Sequence, residues 1–227
     1  MDESEFWLLP KVPPAARFPD CRLQMNGLQF LRLLPEKSVA AAFLDPQYRG
    51  VLDKLAYGNE GKNRGQQRAA LQQMNDETIR LFIDGIGRVL KPSGHLFLWM
   101  DKFHLCEGFR DWHLNAPLEV VDLISWDKGR IGMGYRTRRT TEYCVVLQKE
   151  PRRAKGVWTI HNIPDTWREK IEGRTHTHQK PVGLQSALIA AVTNEGDYVI
   201  DPAAGSFSVM QAAIEIKRIF LGCDLNE

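Results

Sequence analysis

The sequence predicts a doubly wound, mostly parallel α/β sheet in one domain spanning residues 1–227. Two observations carry that expectation. Short, mainly apolar runs (Val39–Leu44, His95–Met100, Tyr198–Ile200 and Ile219–Cys223) alternate with stretches whose apolar residues recur at helical spacing. Runs without polar alternation read as strands buried on both faces, and strands alternating with helices build a parallel sheet. In addition, two of the runs stop at the same dipeptide, Asp45-Pro46 and Asp201-Pro202. Proline has no N–H to give to a ladder, so each strand ends there. The residues that follow then project from the carboxyl end, where open α/β sheets bind their ligands.

Taken in order, residues 1–20 hold four prolines (Pro10, Pro13, Pro14, Pro19) with Phe6 and Trp7, which suits an extended arm. Cys21–Met25 reads as a short strand, and Leu28, Phe30, Leu31 and Leu34 as a turn or two of helix before the strand Val39–Leu44. Residues 49–75 form a long polar loop with four glycines and several cations, and a loop of that length in a compact domain is usually functional or disordered. Asn75 or Asp76 caps the next helix, Ile79 to Leu90, which ends at Lys91-Pro92-Ser93-Gly94. A helix is expected over His104–Trp112, then strands over Leu118–Trp126 and Glu142–Gln148. Residues 150–175 show no periodicity beyond a turn of helix after Pro164. Helices after Pro181 and over Phe207–Lys217 flank the strand Tyr198–Ile200, and Ile219–Cys223 closes on Asp224.

The composition is that of an ordinary globular chain of 227 residues, with 30 basic and 28 acidic side chains and a formal net charge of +2. The overall balance does not announce nucleic acid. Four cysteines (Cys21, Cys106, Cys144, Cys223) lie far apart without CxxC spacing, which favours reduced thiols. No apolar run is long enough for a membrane span or signal peptide, so the expectation is a soluble, cytoplasmic protein.

The candidate chemistry gathers at the strand ends. After Val39–Leu44 stand a carboxylate, a carbonyl, an amide and a ring in Asp45-Pro46-Gln47-Tyr48, suited to a planar substrate bearing an amino group. An ordinary strand end with a capping Asp would read the same way. A strand, the Gly205 turn, a helix and a strand ending at Asp224 form the nucleoside-binding half of a Rossmann-like sheet. GxGxxG is absent, so a cofactor with a ribose and no diphosphate fits better.

These residues resemble a family. Asp45-Pro46-Gln47-Tyr48 is similar to the D-P-P-Y signature of the S-adenosylmethionine-dependent amino methyltransferases of DNA. His176-Thr177-His178-Gln179-Lys180-Pro181 resembles their H-P-T-Q-K-P segment, and Asp201–Phe207 their D-P-F-A-G-S-G cofactor loop. The order, with the catalytic motif ahead of the cofactor loop, matches the permuted β group of the family. The resemblance spans about Cys21 to Asp224 and implies a Rossmann-like methyltransferase sheet in circularly permuted order, with a short recognition insertion over 150–175.

It further implies catalytic roles for Asp45, Pro46, Gln47 and Tyr48. Cofactor contacts are implied at Asn26, His178, Gln179, Lys180, Asp201, Pro202, Ala203, Gly205, Ser206, Phe207 and Asp224. Gln47 stands where the family has a second proline, Ala203 where it has Phe, and Phe207 where it has the second Gly. Phe207 either crowds the cofactor or replaces the missing aromatic contact from the other side. S-adenosyl-L-methionine is the expected cofactor, DNA the expected partner, and adenine N6 the expected acceptor, because the first signature residue is Asp rather than Ser. Restriction-modification is the expected setting, and homodimers are common in relatives. Cytosine N4, an RNA amino group, or a non-catalytic nucleic-acid-binding subunit are the alternatives.

Cation clusters supply the nucleic-acid candidates: Arg49, Lys62 and Arg64 in the long loop, Lys128, Arg130, Arg136, Arg138 and Arg139 between two strands, then Arg152 and Arg153. Such groups neutralise phosphates. His161, His176 and His178 lack Cys or acidic partners at ligand spacing, so no metal is expected.

Overall fold

The computed structural model describes residues 20–47, 74–132, 136–171 and 179–225. Tyr48, Arg49, Lys62, Arg64, His176 and His178, and with them the arm, the long loop and half of the H-x-H-Q-K-P segment, lie outside the described residues. Eight strands form one sheet: β1 (Asp20–Gln24), β2 (Val39–Leu44), β3 (Leu90–Met100), β4 (Leu118–Asp127), β5 (Thr141–Lys149), β6 (Thr166–Arg168), β7 (Tyr198–Asp201) and β8 (Ile219–Asp224). Their order is β1-β8-β7-β2-β3-β5-β4-β6. All adjacent pairs are parallel except β3 with β5 and β5 with β4, so β5 alone runs against the rest.

The centre of the sheet sets the position of the site. β2 and β7 are neighbours, and the chain leaves them in opposite directions. From β2 it passes through α2 (Asp76–Val89) to β3; from β7 it passes through α6 (Ser208–Glu215) to β8. Right-handed crossovers that run in opposite directions place their helices on opposite faces. Accordingly α1 (Gly27–Leu33) and α2 bury Phe30, Leu31, Ile79, Phe82 and Ile83 in one core layer. On the other face α5 (Val182–Val192) and α6 bury Leu184, Leu188, Val209 and Ala212. The strands divide their side chains between the layers: Ala42 and Leu44 face the first, Ala41 and Phe43 the second. Phe43 stacks on Phe97 of β3 at 4.8 Å. Between the carboxyl ends of β7 and β2 the sheet therefore opens a crevice at a topological switch point.

Three elements differ from expectation. β3 begins at Leu90, and Pro92-Ser93-Gly94, expected to stop the chain, is carried inside it; the register against β2 jumps from Val39↔Leu90 to Ala41↔His95. Ser93 takes a positive φ of 64° there, and its hydroxyl donates to the Pro151 carbonyl. The single helix expected over His104–Trp112 is two short ones, α3 (Lys102–Glu107) and α4 (Arg110–His113). Gly108 at φ 91° ends the first, a conformation that glycine adopts without steric cost. After Pro164 the chain forms β6, not a helical turn, and pairs in parallel with the end of β4. Trp158, Ile160, Ile163, Trp167 and Ile171 pack on the second core layer, so this polar-looking segment is anchored by its apolar minority.

Candidate active site

Asp45 follows the last ladder residue of β2, and buried Pro46 ends the strand as its chemistry requires. The Asp45 carboxylate is not isolated. Lys180 Nζ lies 2.8 Å from Asp45 Oδ2 and 3.0 Å from Glu142 Oε2, and 5.3 Å from the centre of the Trp99 ring. Lys128 Nζ donates to the other Glu142 oxygen at 3.2 Å. The result is a row of alternating charges, Asp45, Lys180, Glu142, Lys128. Burial works against the Lys180 charge, but Asp45 and Glu142 together outweigh it and hold the ammonium above its ordinary range. Burial likewise opposes the Glu142 charge; Lys180 and Lys128 overcome it and bring the carboxyl down to about 2. Lys180 and Glu142 both stay charged at neutral pH, and the shared ammonium positions Asp45 through one short charge-assisted bond.

Glu142 was not among the sequence candidates. It sits at the start of β5, and the antiparallel pairing Met100↔Tyr143 brings that start against the carboxyl end of β3. A Glu just ahead of an apolar run mirrors an Asp just after one, and that was the available signal.

Across the crevice, Asp201 ends β7 with 5% of its surface exposed. Ala203 N–H donates to its Oδ1 at 3.1 Å. Burial pushes the Asp201 carboxyl up to about 7; the Ala203 bond and Lys180 oppose the shift, and the charges of Asp45 and Asp224 add to it. The loop that follows is clamped to β8: Ala204 N–H donates to the Cys223 carbonyl at 2.9 Å, and Gly205 N–H to Asp224 Oδ2 at 3.0 Å. Gly205 takes φ 48°, as the glycine turn expected there would.

Phe207 resolves differently from either expectation. It adopts φ 54° as the residue before α6, which explains a glycine at this position in the resembling pattern. A non-glycine residue there costs on the order of 1–3 kcal/mol. The ring turns into the core, 6% exposed, edge-on to Phe220 at 6.1 Å, with the Arg22 guanidinium 5.1 Å from its centre. Burying a side chain of that size contributes about 1.5–3 kcal/mol, enough to offset the strain. Phe207 neither crowds the crevice nor lines it.

The walls of an open crevice stand between these strand ends. They bring together Asp45, Gln47, Lys180, Asp201, Ala203, Gly205 and Ser206 of the expected residues, and add Trp99, Gln185, Ser208 and Val209. Pro46, Asn26, Gln179, Pro202 and Asp224 stand behind or beside these walls. Asn26 caps α1, its Oδ1 accepting from Leu28 and Gln29 N–H, next to the β1–β8 register pair Gln24↔Asp224. Three buried polar atoms near the crevice have no hydrogen-bond partner among the described residues: Trp99 Nε1, Gln179 Oε1 and Gln185 Oε1. Unpaired buried polar atoms are costly.

The expected cation clusters separate on inspection. Arg130, Arg136 and Arg138 are exposed. Lys128 is instead drawn into the charge row with only 11% of its side chain exposed, and Arg139 lies 5.5 Å from the Phe103 ring centre. Arg152 is exposed and pairs with Glu150 at 3.0 Å. Arg153 is exposed while its main chain is held by the Gln148 amide on both sides. Among the described residues no helix is long and apolar enough to cross a membrane, and no cluster of three metal-ligating side chains occurs.

The sheet is doubly wound, and its switch point sets the Asp45-Pro46 end of β2 beside the Asp201–Ser206 loop after β7. The model of the DNA methylase family matches residues 39–227, and the chain belongs to that family. It is 57% identical over 209 residues to the type II methyltransferase M.HhaII of Haemophilus parahaemolyticus, covering 92% of each chain. The type II methyltransferase M2.MboI of Moraxella bovis is 22% identical over 88% of this chain and 81% of its own. Among solved structures, the M1.HpyAVI–SAM complex superposes with a TM-score of 0.65 at 18% identity, over 91% of this chain and 94% of that one. The cytosine-N4-specific PvuII DNA methyltransferase does so with 0.67 at 14%, over 90% and 81%. These two likenesses show the fold.

Proposed function

We propose that the protein transfers the methyl group of S-adenosyl-L-methionine to the exocyclic N6 amino group of an adenine extruded from DNA, as the modification enzyme of a restriction-modification system. The carrying observation is Asp45, fixed by Lys180 at the switch point and facing the Asp201–Ser206 loop across one crevice. The residues present fit the cofactor. The clamped loop and Asp224 suit a ribose, and the unpaired polar atoms suit its amino-acid end. When bound, it supplies an electrophilic methyl on sulfur.

The chain supplies the rest. An exocyclic amine is a weak nucleophile because its lone pair is delocalised into the ring. Accepting its two N–H bonds on the Asp45 carboxylate and the Pro46 carbonyl turns the nitrogen toward tetrahedral geometry and frees the lone pair for in-line attack. Lys180, itself held by Glu142, orients Asp45, and the Asp45 carboxylate stabilises the developing positive charge. Tyr48 stacks on the extruded base. Arg130, Arg136 and Arg138 contact phosphates.

Incubation with mixed-sequence DNA and labelled cofactor, followed by nucleoside mass spectrometry, tests the reading. N6-methyladenine is expected; N4-methylcytosine would move the acceptor to cytosine, and no labelled nucleoside would remove the activity.

A further inference from the structure

Gln185 belongs to no recognised motif of this chain, yet its burial has no structural explanation. It lies in the first turn of α5, 1% exposed, and its backbone N–H donates to the Pro181 carbonyl in the ordinary helical way. The side chain lines the crevice and its Oε1 is buried without a partner. A buried glutamine whose polar atom has no partner costs stability, and a helix facing an apolar layer is better served there by Leu or Met. The neighbouring crevice wall repeats the pattern: Trp99, 1% exposed, has its Nε1 buried and unpaired.

We infer that Gln185 is a cofactor-binding residue that holds the amino-acid end of S-adenosylmethionine, with Trp99 Nε1 as a second contact. The inference rests on the cofactor reading above. The three substituents of the cofactor's sulfur need three directions. The methyl must face Asp45, and the ribose faces Gly205 and Asp224, the clamped loop. Of the rest of the lining, Trp99 and Gln185 bring polar atoms without a partner to the third substituent. That substituent carries an ammonium donor and a carboxylate acceptor, so it satisfies Gln185 in either orientation of its amide and gives Trp99 N–H an acceptor.

Calorimetric titration of S-adenosylmethionine and of 5′-methylthioadenosine, which lacks the amino-acid end, separates the possibilities in the wild-type chain and in Gln185→Met. The substitution should weaken S-adenosylmethionine by about tenfold or more, the range for a bond to a charged group. It should leave methylthioadenosine within about twofold. The Tm of the unliganded variant should equal or exceed that of wild type, because a buried unpaired polar atom has gone. Unchanged S-adenosylmethionine affinity overturns the inference, as does equal weakening of both ligands. Wild-type protein that binds neither ligand defeats the cofactor reading itself. Should Gln185→Met fail to fold, the side-chain amide resonance of Gln185 in the ¹⁵N-labelled wild type decides. It must shift with S-adenosylmethionine and stay with methylthioadenosine, and a resonance indifferent to both overturns the assignment.

Discussion

At Asp45 two demands meet on one carboxylate. In the proposed reaction it accepts from a substrate amine, and it already takes a 2.8 Å bond from Lys180. Glu142 makes these compatible by sharing the ammonium. With Glu142→Gln the Lys180 charge falls wholly on Asp45 and weakens it as an acceptor. The expected result is a kcat lower by about tenfold with cofactor affinity unchanged, partly rescued by Glu142→Asp. Glu142 also has a stability signature. Its folded pKa is about 2 against an ordinary 4.5, so its contribution is present above pH 4.5 and is lost as pH falls toward 2. Acid titration of Tm should show a shallower loss in Glu142→Gln, starting from a lower value at pH 7. Replacing Asp45 by Asn should cut methyl transfer by about 10²–10³-fold and leave S-adenosylmethionine affinity within a few-fold, measured by single turnover and calorimetry. Parallel loss of both would make Asp45 a structural residue.

Among elements, the β1–α1 connection braces the loop after β7 from behind. A Cβ at Gly27 would collide with the Pro202 carbonyl and with the Phe82 ring, 2.5 Å from its Cε1. Backbone cannot yield as a flexible side chain can, so Gly27→Ala should displace Pro202 and lower stability by about 1–3 kcal/mol, with weaker S-adenosylmethionine binding alongside. Chemical denaturation with and without cofactor checks both. A second device is the Glu169 carboxylate, which accepts from Gly183 and Leu184 N–H at 3.0 Å each and so caps α5 from a distant segment. The sequence predicts a turn of helix after Pro164 rather than this strand, because three residues of β6 are too few to show a period.

For the whole molecule, charges from three strand ends and Lys180 meet at the crevice. Asp201 is faced by Asp45 from β2, Asp224 from β8 and Lys180 ahead of α5. Its folded pKa of about 7 exceeds the ordinary 3.8, so the folded state holds a proton that the unfolded chain has lost. Between those values this group makes stability fall as pH rises, and Asp201→Asn should remove that slope. A cofactor ammonium favours the ionised form. Affinity for S-adenosylmethionine should therefore rise from pH 6 to 8 with net proton release, visible in buffers of different ionisation enthalpy. On the DNA side, replacing Arg136 and Arg138 together should lower the slope of log K against log salt by about 1.8, two phosphates' worth. Lys128→Ala should leave the slope unchanged and lower the Tm, because Lys128 is committed to Glu142.

By itself the sequence determined the class of sheet, most strand positions, and the two Asp-Pro ends with their glycine turn and terminal Asp224. Each of these follows from local covalent facts: apolar runs without alternation, proline's missing donor and glycine's open φ. Tertiary structure decided what needed distant residues to meet. It folded Phe207 inward, because a ring on a left-handed backbone at that point faces Phe220. It withdrew Lys128 from the surface, and it brought Glu142 to Lys180 through an antiparallel strand. It also left Gln185 buried, its Oε1 without a partner, in the crevice that Asp45 lines. Charge pairing and desolvation depend on distance in space, and no spacing along the chain encodes that.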